Sequence, residues 1–385
     1  MIDIFYWSPC LEKVGTYKST INSALSIGKY SKKIISISII NICGEWEDER
    51  KFLEKNNVNL IDIGFKFFNY LPKSGFLGSR FSYICIAIVS FFPLIKLLIK
   101  KKPDFFVSHL LTSIPFIIFY ILRIKTKLIL RISGFPKLTI LRKILWKFCS
   151  KKIFKVTFPS IELLNQFSKL DIFLREQLIF LPDPIINLRE YLIKKESSKN
   201  NLKNPTNKNF FMSAGRLTRQ KNFSYLITEF KKFSDINTKF DLLIFGTGEE
   251  KEKLRRLIQK LDLSERVYLM GYTEYIYEYM RRSDAFVLSS LWEDPGHVIV
   301  EAAFNNSFVI SSNCKNGPSE FLEYGKAGIL FENNKNNSLF GALGNFVSKG
   351  FEVNLKKFLL KKNCLKYSLL RHHNILRDIF LNKIN

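Results

Sequence analysis

The sequence predicts an α/β fold of two Rossmann-like, doubly wound domains that face each other across a cleft. Three observations predict it: the length of the chain, an alternation of buried-strand and helix signals, and a restart of that alternation after a polar break. At 385 residues the chain exceeds the usual domain size of roughly 100–200. Hydrophobic residues make up 46%, enough to build two cores.

In chain order, IDIFYWS opens as a short strand, and a loop holding Gly15 leads into the helical pattern STINSALSIGKYS. KIISISII, NVNLIDIG, PDFFVSHL, TKLILRIS and KIFKVTFPS then recur as apolar, β-branched runs with helix-length stretches between several of them. Buried strands alternating with helices argue for a parallel sheet covered on both faces. KKESSKNNLKNPTNKN then breaks the pattern as a polar linker or surface loop.

Beyond it NFFMSAGRL reads as strand and loop, NFSYLITEFKKF as a helix, FDLLIFGTG as a strand and EEKEKLRRLIQKL as a charged helix. RVYLMGY, DAFVLSS, FVISS and AGILF supply further strands, and YSLLRHHNILRDIFLNKI reads as a terminal amphipathic helix. The expected domains are therefore 1–192 and 210–365, joined by a linker over 193–209. The helix over 366–385 is a candidate to cross back to the first domain.

The formal net charge of +26 is unevenly distributed. Residues 96–155 hold fifteen Lys or Arg and a single acid, Asp104. Such a field attracts anionic partners: phospholipid head groups, nucleic acid or a diphosphate substrate. A solvated lysine-rich surface without a partner is the plain alternative.

One apolar run, FSYICIAIVSFFPLIKLLIKKK, approaches the roughly 20 residues of a bilayer crossing. Pro93 and Lys96 interrupt it and a strand signal follows at once, so it is read, with LLTSIPFIIFYILRIK, as a helix packed on a sheet and able to touch lipid. The start MIDIFYWSPC lacks the basic segment of a signal peptide. The six cysteines are scattered without a C-x-x-C pair, as expected of free thiols in a reducing cytoplasm. The four histidines have no ligand-like spacing with them, so no metal site is expected.

Three loops in the second half fall at strand ends. SAGRLTRQKN brings Gly215, Arg216 and Lys221, where a planar guanidinium and a compact ammonium suit phosphate oxygens. IFGTGEE places Gly246 and Gly248 between a strand and a helix, a turn that can offer backbone N–H groups to an anion or need glycine for geometry alone. SSLWEDPGHVIVEAA carries Glu293 before a Pro295-Gly296 break and Glu301 in the helix after it. Ionised carboxylates accept hydrogen bonds and cannot donate them, which suits the vicinal hydroxyls of a sugar or ribose.

Together GRLTRQKNF, LLIFGTGEE, VYLMGY, SDAFVLSSLWEDPGHVIVEAA and FVISS…GPSE…GILF resemble the donor-binding half of the retaining GT-B glycosyltransferases of family 4. These are group 1 enzymes of bacterial surface-polysaccharide and lipopolysaccharide assembly. The likeness covers about 120 residues, from Met212 to Phe331. The glutamate pair corresponds to that family's E-x7-E motif.

The resemblance implies that Arg216 and Lys221 hold the donor diphosphate in place of a metal. It implies that Glu301 binds the ribose and Glu293 the transferred sugar, with backbone near Gly296 and His297 completing the contacts. Gly15 would approach the phosphates, and His109, at the end of PDFFVSHL, would face sugar or acceptor; a satisfied core histidine is the alternative there. Two places depart from the family pattern: KVGT stands where a Gly-Gly is usual, and Asp294 and His297 replace smaller or apolar residues.

The implied activity is transfer from a nucleoside-diphosphate sugar, uridine-linked by resemblance, to a saccharide or lipid-linked saccharide. The enzyme would sit peripherally on the inner face of the cytoplasmic membrane, held through residues 96–155. No cofactor beyond the donor and no nucleic acid is expected. A nucleotide-sugar epimerase of the same fold and a basic nucleic-acid-binding protein are the competing readings; no zinc finger, helix-turn-helix or RNP pattern supports the latter.

Overall fold

The structure, a computed structural model, describes residues 1–13, 15–73, 76–197 and 205–381. The chain forms two compact units: Met1–Ile185 together with the segment from Ser368, and Ile186–Tyr367.

Among the described residues the first unit holds seven strands: β1 (Ile2–Trp7), β2 (Ile35–Asn41), β3 (Asn59–Asp62), β4 (Phe105–His109), β5 (Lys127–Arg131), β6 (Ile153–Phe158) and β7 (Leu178–Phe180). All pair in parallel, in the order β3-β2-β1-β4-β5-β6-β7. The order reverses between β1 and β4, so their C-terminal ends flank a topological switch point. β7 has only three residues and no alternation, and the sequence reading has no strand there.

Apolar side chains line both faces of this sheet, as a doubly covered parallel sheet requires. One face packs under helices Phe76–Lys101, Ser113–Ile121, Ile140–Cys149 and Ile161–Ser168, through Ile86, Leu94, Phe116, Trp146 and Phe167 among others. The other face carries helix Gly15–Tyr30 and the terminal helix Leu369–Phe380, which buries Leu376, Ile379 and Phe380 there.

The second unit holds β8 (Asn209–Ala214), β9 (Phe240–Phe245), β10 (Val267–Gly271), β11 (Ala285–Leu288), β12 (Phe308–Ser312) and β13 (Ile329–Phe331). They are again parallel, in the order β10-β9-β8-β11-β12-β13, with the switch point between β8 and β11.

One boundary is corrected. The first unit ends at Ile185, not 192, and helix Leu188–Ser197 belongs to the second. Its Tyr191 packs edge-on to Phe304 (ring centroids 4.9 Å) and lies 6.2 Å from the ring of Tyr277. The polar run KKESSKNN that follows Ile193 in the sequence made that helix read as the end of a domain and the start of a linker. Residues 198–204 of the expected linker lie outside the described residues.

Candidate functional site

The site is built at the C-terminal ends of β8 and β11. After β8 the chain runs through Gly215 and Arg216 to Lys221 and turns at Asn222, in left-handed conformation, into helix Phe223–Ile236. Three bonds fasten this loop to the one after β11. Leu291 N–H donates to the Gln220 carbonyl (2.8 Å), the Gln220 amide to the Trp292 carbonyl (2.9 Å) and the Ser289 hydroxyl to the Lys221 carbonyl (2.8 Å).

This docking sets Lys221 Nζ 2.5 Å from Glu293 Oε1, and the Ser290 hydroxyl donates to the same oxygen at 2.5 Å. The lysine side chain is 15% exposed and the glutamate 8%. Gly296 follows at φ +86, a conformation that disfavours any side chain, and starts helix His297–Phe304. Its Cα lies close to the Glu293 side chain, because a Cβ added there would stand 3.6 Å from Glu293 Cβ and Cγ.

Glu301 lies in the second turn of that helix, where the Tyr277 hydroxyl donates to its Oε1 at 3.2 Å. Arg216 is exposed one residue past Gly215, and His297 is half-buried at the helix start. Gly215, Lys221, Glu293 and Gly296 are therefore gathered in one place. Arg216 shares the loop of Lys221, and His297 and Glu301 share the helix that Gly296 begins.

The glycines of the first two loops serve backbone geometry, the plainer of the two readings of the Gly246 and Gly248 turn. Gly215 N–H donates to the Phe245 carbonyl (3.0 Å) and Gly246 N–H to that of Gly271 (2.8 Å), so neither is available for phosphate. The loops press backbone on backbone: a Cβ on Gly246 would stand 1.9 Å from the Gly215 carbonyl oxygen, and one on Gly248 would stand 2.4 Å from that of Leu217. These glycines shape the floor of the site.

In the first unit, Gly15 is exposed at the start of its helix. His109 is buried, which corrects its reading as a residue facing sugar or acceptor. Burial and the Arg131 charge push its pKa down to about 3, so the ring is neutral.

Around His109 lies a closed polar cluster. Arg131 pairs with Asp183 and donates to the Leu181 carbonyl (2.6 Å), and the Ser19 hydroxyl donates to Asp183 (2.5 Å). His372 Nδ1 lies 2.7 Å from the Pro182 carbonyl, which can only accept, so Nδ1 carries the proton. Its Nε2 then accepts from Ser23 (2.8 Å), and Ser23 accepts from the Tyr6 hydroxyl (2.9 Å). The cavity that these side chains line has room for no more than about one water. A sugar does not fit there.

Sequence reasoning missed Ser290, Tyr277 and the Arg131–Asp183 pair. The paired serines after β11 and the Asp between two prolines in LPDPI are local signals of unusual geometry.

Residues 194–356 match the family described as Glycosyl transferases group 1. The second unit is a group 1 glycosyltransferase domain. An uncharacterized glycosyltransferase of Methanocaldococcus jannaschii is 41% identical over 133 residues, 31% of this chain and 33% of that protein. A Campylobacter jejuni enzyme named N-acetylgalactosamine-N,N'-diacetylbacillosaminyl-diphospho-undecaprenol 4-alpha-N-acetylgalactosaminyltransferase is 32% identical over 134 residues, 35% of this chain and 36% of that protein. The matched stretch thus spans about a third of the length of these relatives.

Over 99% of the chain the fold is that of Anabaena HepE solved with UDP, which is covered completely (TM-score 0.73, 13% identity). It is also that of a glycosyltransferase from Rickettsia africae, 98% covered (TM-score 0.76, 15% identity). With two parallel-sheet α/β units, the group 1 domain belongs to a GT-B architecture.

Proposed function

We propose that this chain is a retaining glycosyltransferase moving a hexosyl or N-acetylhexosaminyl group from a uridine-diphosphate sugar to a saccharide or lipid-linked saccharide. The observation that carries the reading is the Lys221–Glu293–Ser290 cluster at the strand ends of the group 1 domain. Support for the donor comes from HepE, solved with UDP. Support for the acceptor comes from the Campylobacter relative, whose name specifies a diphospho-undecaprenol substrate.

In this reaction the bond from the anomeric carbon to the diphosphate breaks, and its electron pair leaves with the phosphate oxygen. The acceptor hydroxyl attacks on the same face and gives its proton to that departing oxygen. Lys221 exchanges Glu293 for the diphosphate, and Arg216 joins it, so that two fixed cations meet the developing negative charge. A preorganised contact of this kind is worth about 3 kcal/mol of barrier. These side chains do the work that a metal would otherwise do, and none is invoked.

Glu293, released from the lysine, accepts from hydroxyls of the transferred sugar. Glu301 accepts from the ribose, with Tyr277 holding the carboxylate in place. The basic 96–155 segment keeps the enzyme at the inner face of the cytoplasmic membrane, where a lipid-linked acceptor of surface-polysaccharide assembly is presented.

The test is transfer from a panel of nucleoside-diphosphate sugars to lipid-linked acceptors. Wild type is expected to turn over a uridine-linked donor, and Arg216→Ala to lose on the order of a hundredfold in kcat/KM. Equal rates in the two proteins would remove the donor site. Conversion of the donor without acceptor would make the protein an epimerase.

A further inference from the structure

Helix Phe76–Lys101 is apolar on two faces. Its inward face is set by Ser82, Ile86, Ser90, Leu94 and Leu98, every fourth residue, all fully buried. Its outward face carries Leu77, Phe81, Ile84, Ile88 and Phe92, between 58% and 79% exposed. Over these sixteen positions the stripe runs about 22 Å along one side of the helix.

The same layer repeats the pattern. Helix Ile140–Cys149 buries Trp146 and Cys149 and exposes Ile140, Leu141, Ile144 and Phe148. The Phe148 ring lies 4.7 Å from Tyr120 of the intervening helix Ser113–Ile121, which also exposes Ile121. Three of the four helices of this layer thus expose several apolar side chains each. Isolated exposed hydrophobics are ordinary; a stripe of five along one helix, with a second cluster on two neighbouring helices of the same layer, is not.

Cations flank it. Lys100, Lys101 and Lys102 close the first helix, and Lys143 and Lys147 stand on the helix starting at Ile140, Lys147 paired with Asp171 (2.7 Å); all five lysines are exposed. Between Asp62 and Glu162 the only acid is Asp104, whose carboxylate is engaged by the Asp3 N–H (2.8 Å).

We infer that these helices lie in the plane of an anionic bilayer and insert their outward side chains below its head groups. Helix Leu77–Lys101 is long and apolar enough to cross a membrane, but every fourth residue of it is part of the sheet's core, and crossing would strip that face. A second copy would bring two surfaces of like charge together. Nucleic acid would meet an apolar centre. An interfacial helix layer needs apolar depth in the middle and lysine at the level of the phosphates, and this surface has both.

The inference deepens the membrane part of the proposed function, and its test leaves the donor site untouched. Full-length protein is floated with vesicles of phosphatidylcholine, alone or mixed in equal parts with phosphatidylglycerol. Wild type is expected to float with the mixed vesicles and to retain part of that binding in high salt. The triple variant Phe81→Gln, Ile88→Gln, Phe92→Gln is expected to partition on the order of a hundredfold more weakly. Its melting temperature and its shift with UDP should stay at wild-type values, which separates failure here from failure of the donor reading.

Phe81→Trp and Phe92→Trp, read above the four native tryptophans, should both be quenched best by lipids brominated near the head group. Equal flotation of wild type and the triple variant, with full release by salt, would leave only surface adsorption and overturn insertion. So would deep quenching at one position and shallow quenching at the other, the signature of a span. Concentration-dependent dimerisation without lipid, abolished in the triple variant, would assign the surface to a second copy.

Discussion

Each parallel sheet ends at a switch point beside a buried cation–carboxylate pair, and the two pairs differ in what surrounds them. Arg131 and Asp183 are 3% and 4% exposed; the guanidinium also donates to the Leu181 carbonyl and the carboxylate also accepts from Ser19. Lys221 and Glu293 are 15% and 8% exposed, on loops floored by glycine, with one serine added. The first pair is walled in by histidines, tyrosine and hydroxyls; the second is reached from solvent through its lysine. A pair closed on all sides holds a fold together, whereas a pair with one accessible partner can exchange that partner for a ligand.

The sharpest way to break the comparison is to remove one member of each pair. Asp183→Ala leaves a guanidinium buried without its counter-charge, which costs about 3–5 kcal/mol of stability. Chemical denaturation should show this loss, and UDP binding by the folded fraction should be unchanged. A stable Asp183→Ala protein would mean that the closed cluster is not structural.

Lys221→Ala should act the other way round. Transfer is expected to fall by about 3 kcal/mol of barrier, a factor of roughly a hundred, with a smaller loss of stability. Steady-state kinetics beside a melting curve decides it: a variant that melts early and yet transfers normally would place Lys221 with the structural pair.

A smaller effect distinguishes Glu301 and its Tyr277 partner. Removing a hydrogen bond to a charged group costs about 1.5–3 kcal/mol, so wild type should prefer UDP to its 2′-deoxy analogue by roughly tenfold or more. Glu301→Ala should abolish that preference and Tyr277→Phe should reduce it, as isothermal titration would measure. Equal discrimination in all three proteins would separate Glu301 from the ribose.

The mildest test concerns pH. Burial holds His109 near pKa 3 and His372 near 4, both below the unfolded value of about 6.5. Such a group contributes stability that is fully present above the unfolded value and is lost as pH falls through the folded one, because the unfolded chain takes up protons first. Urea midpoints should therefore be level above about pH 6.5 and decline toward pH 4, and His372→Gln should decline less. A profile identical to wild type would release His372 from the cluster.

The second unit was far more legible in the sequence than the first. Its strands end in loops that carry Gly215, Lys221, Glu293 and Glu301 within short stretches, so residue type at strand ends offered them as candidates and the family resemblance supplied their roles. Even there, Gly246 suggested an anion cradle, although its N–H is bonded to Gly271 and its missing Cβ lets two loops touch.

The first unit hides its logic in long-range contacts. Ser19 meets Asp183 across 164 residues and Ser23 meets His372 across 349; LPDPI marks Asp183 as unusual, but no local pattern names the partner of either serine. His109 at a strand end looked like a cleft residue because the partners that enclose it come from β5, the segment after β7 and the terminal helix. The polar sequence that follows Ile193 concealed the role of Tyr191, whose packing on Phe304 assigns its helix to the second unit. The outward face of helix Phe76–Lys101 could be separated from its inward face only when the sheet beneath it was present.

The claim on which the functional account rests is that Lys221 gives up Glu293 for a diphosphate. Calorimetric titration of UDP into wild type and Lys221→Ala, both shown to be folded, tests it most directly. The account predicts binding by wild type and a loss on the order of a hundredfold in the variant. Equal affinity in the two proteins would contradict it.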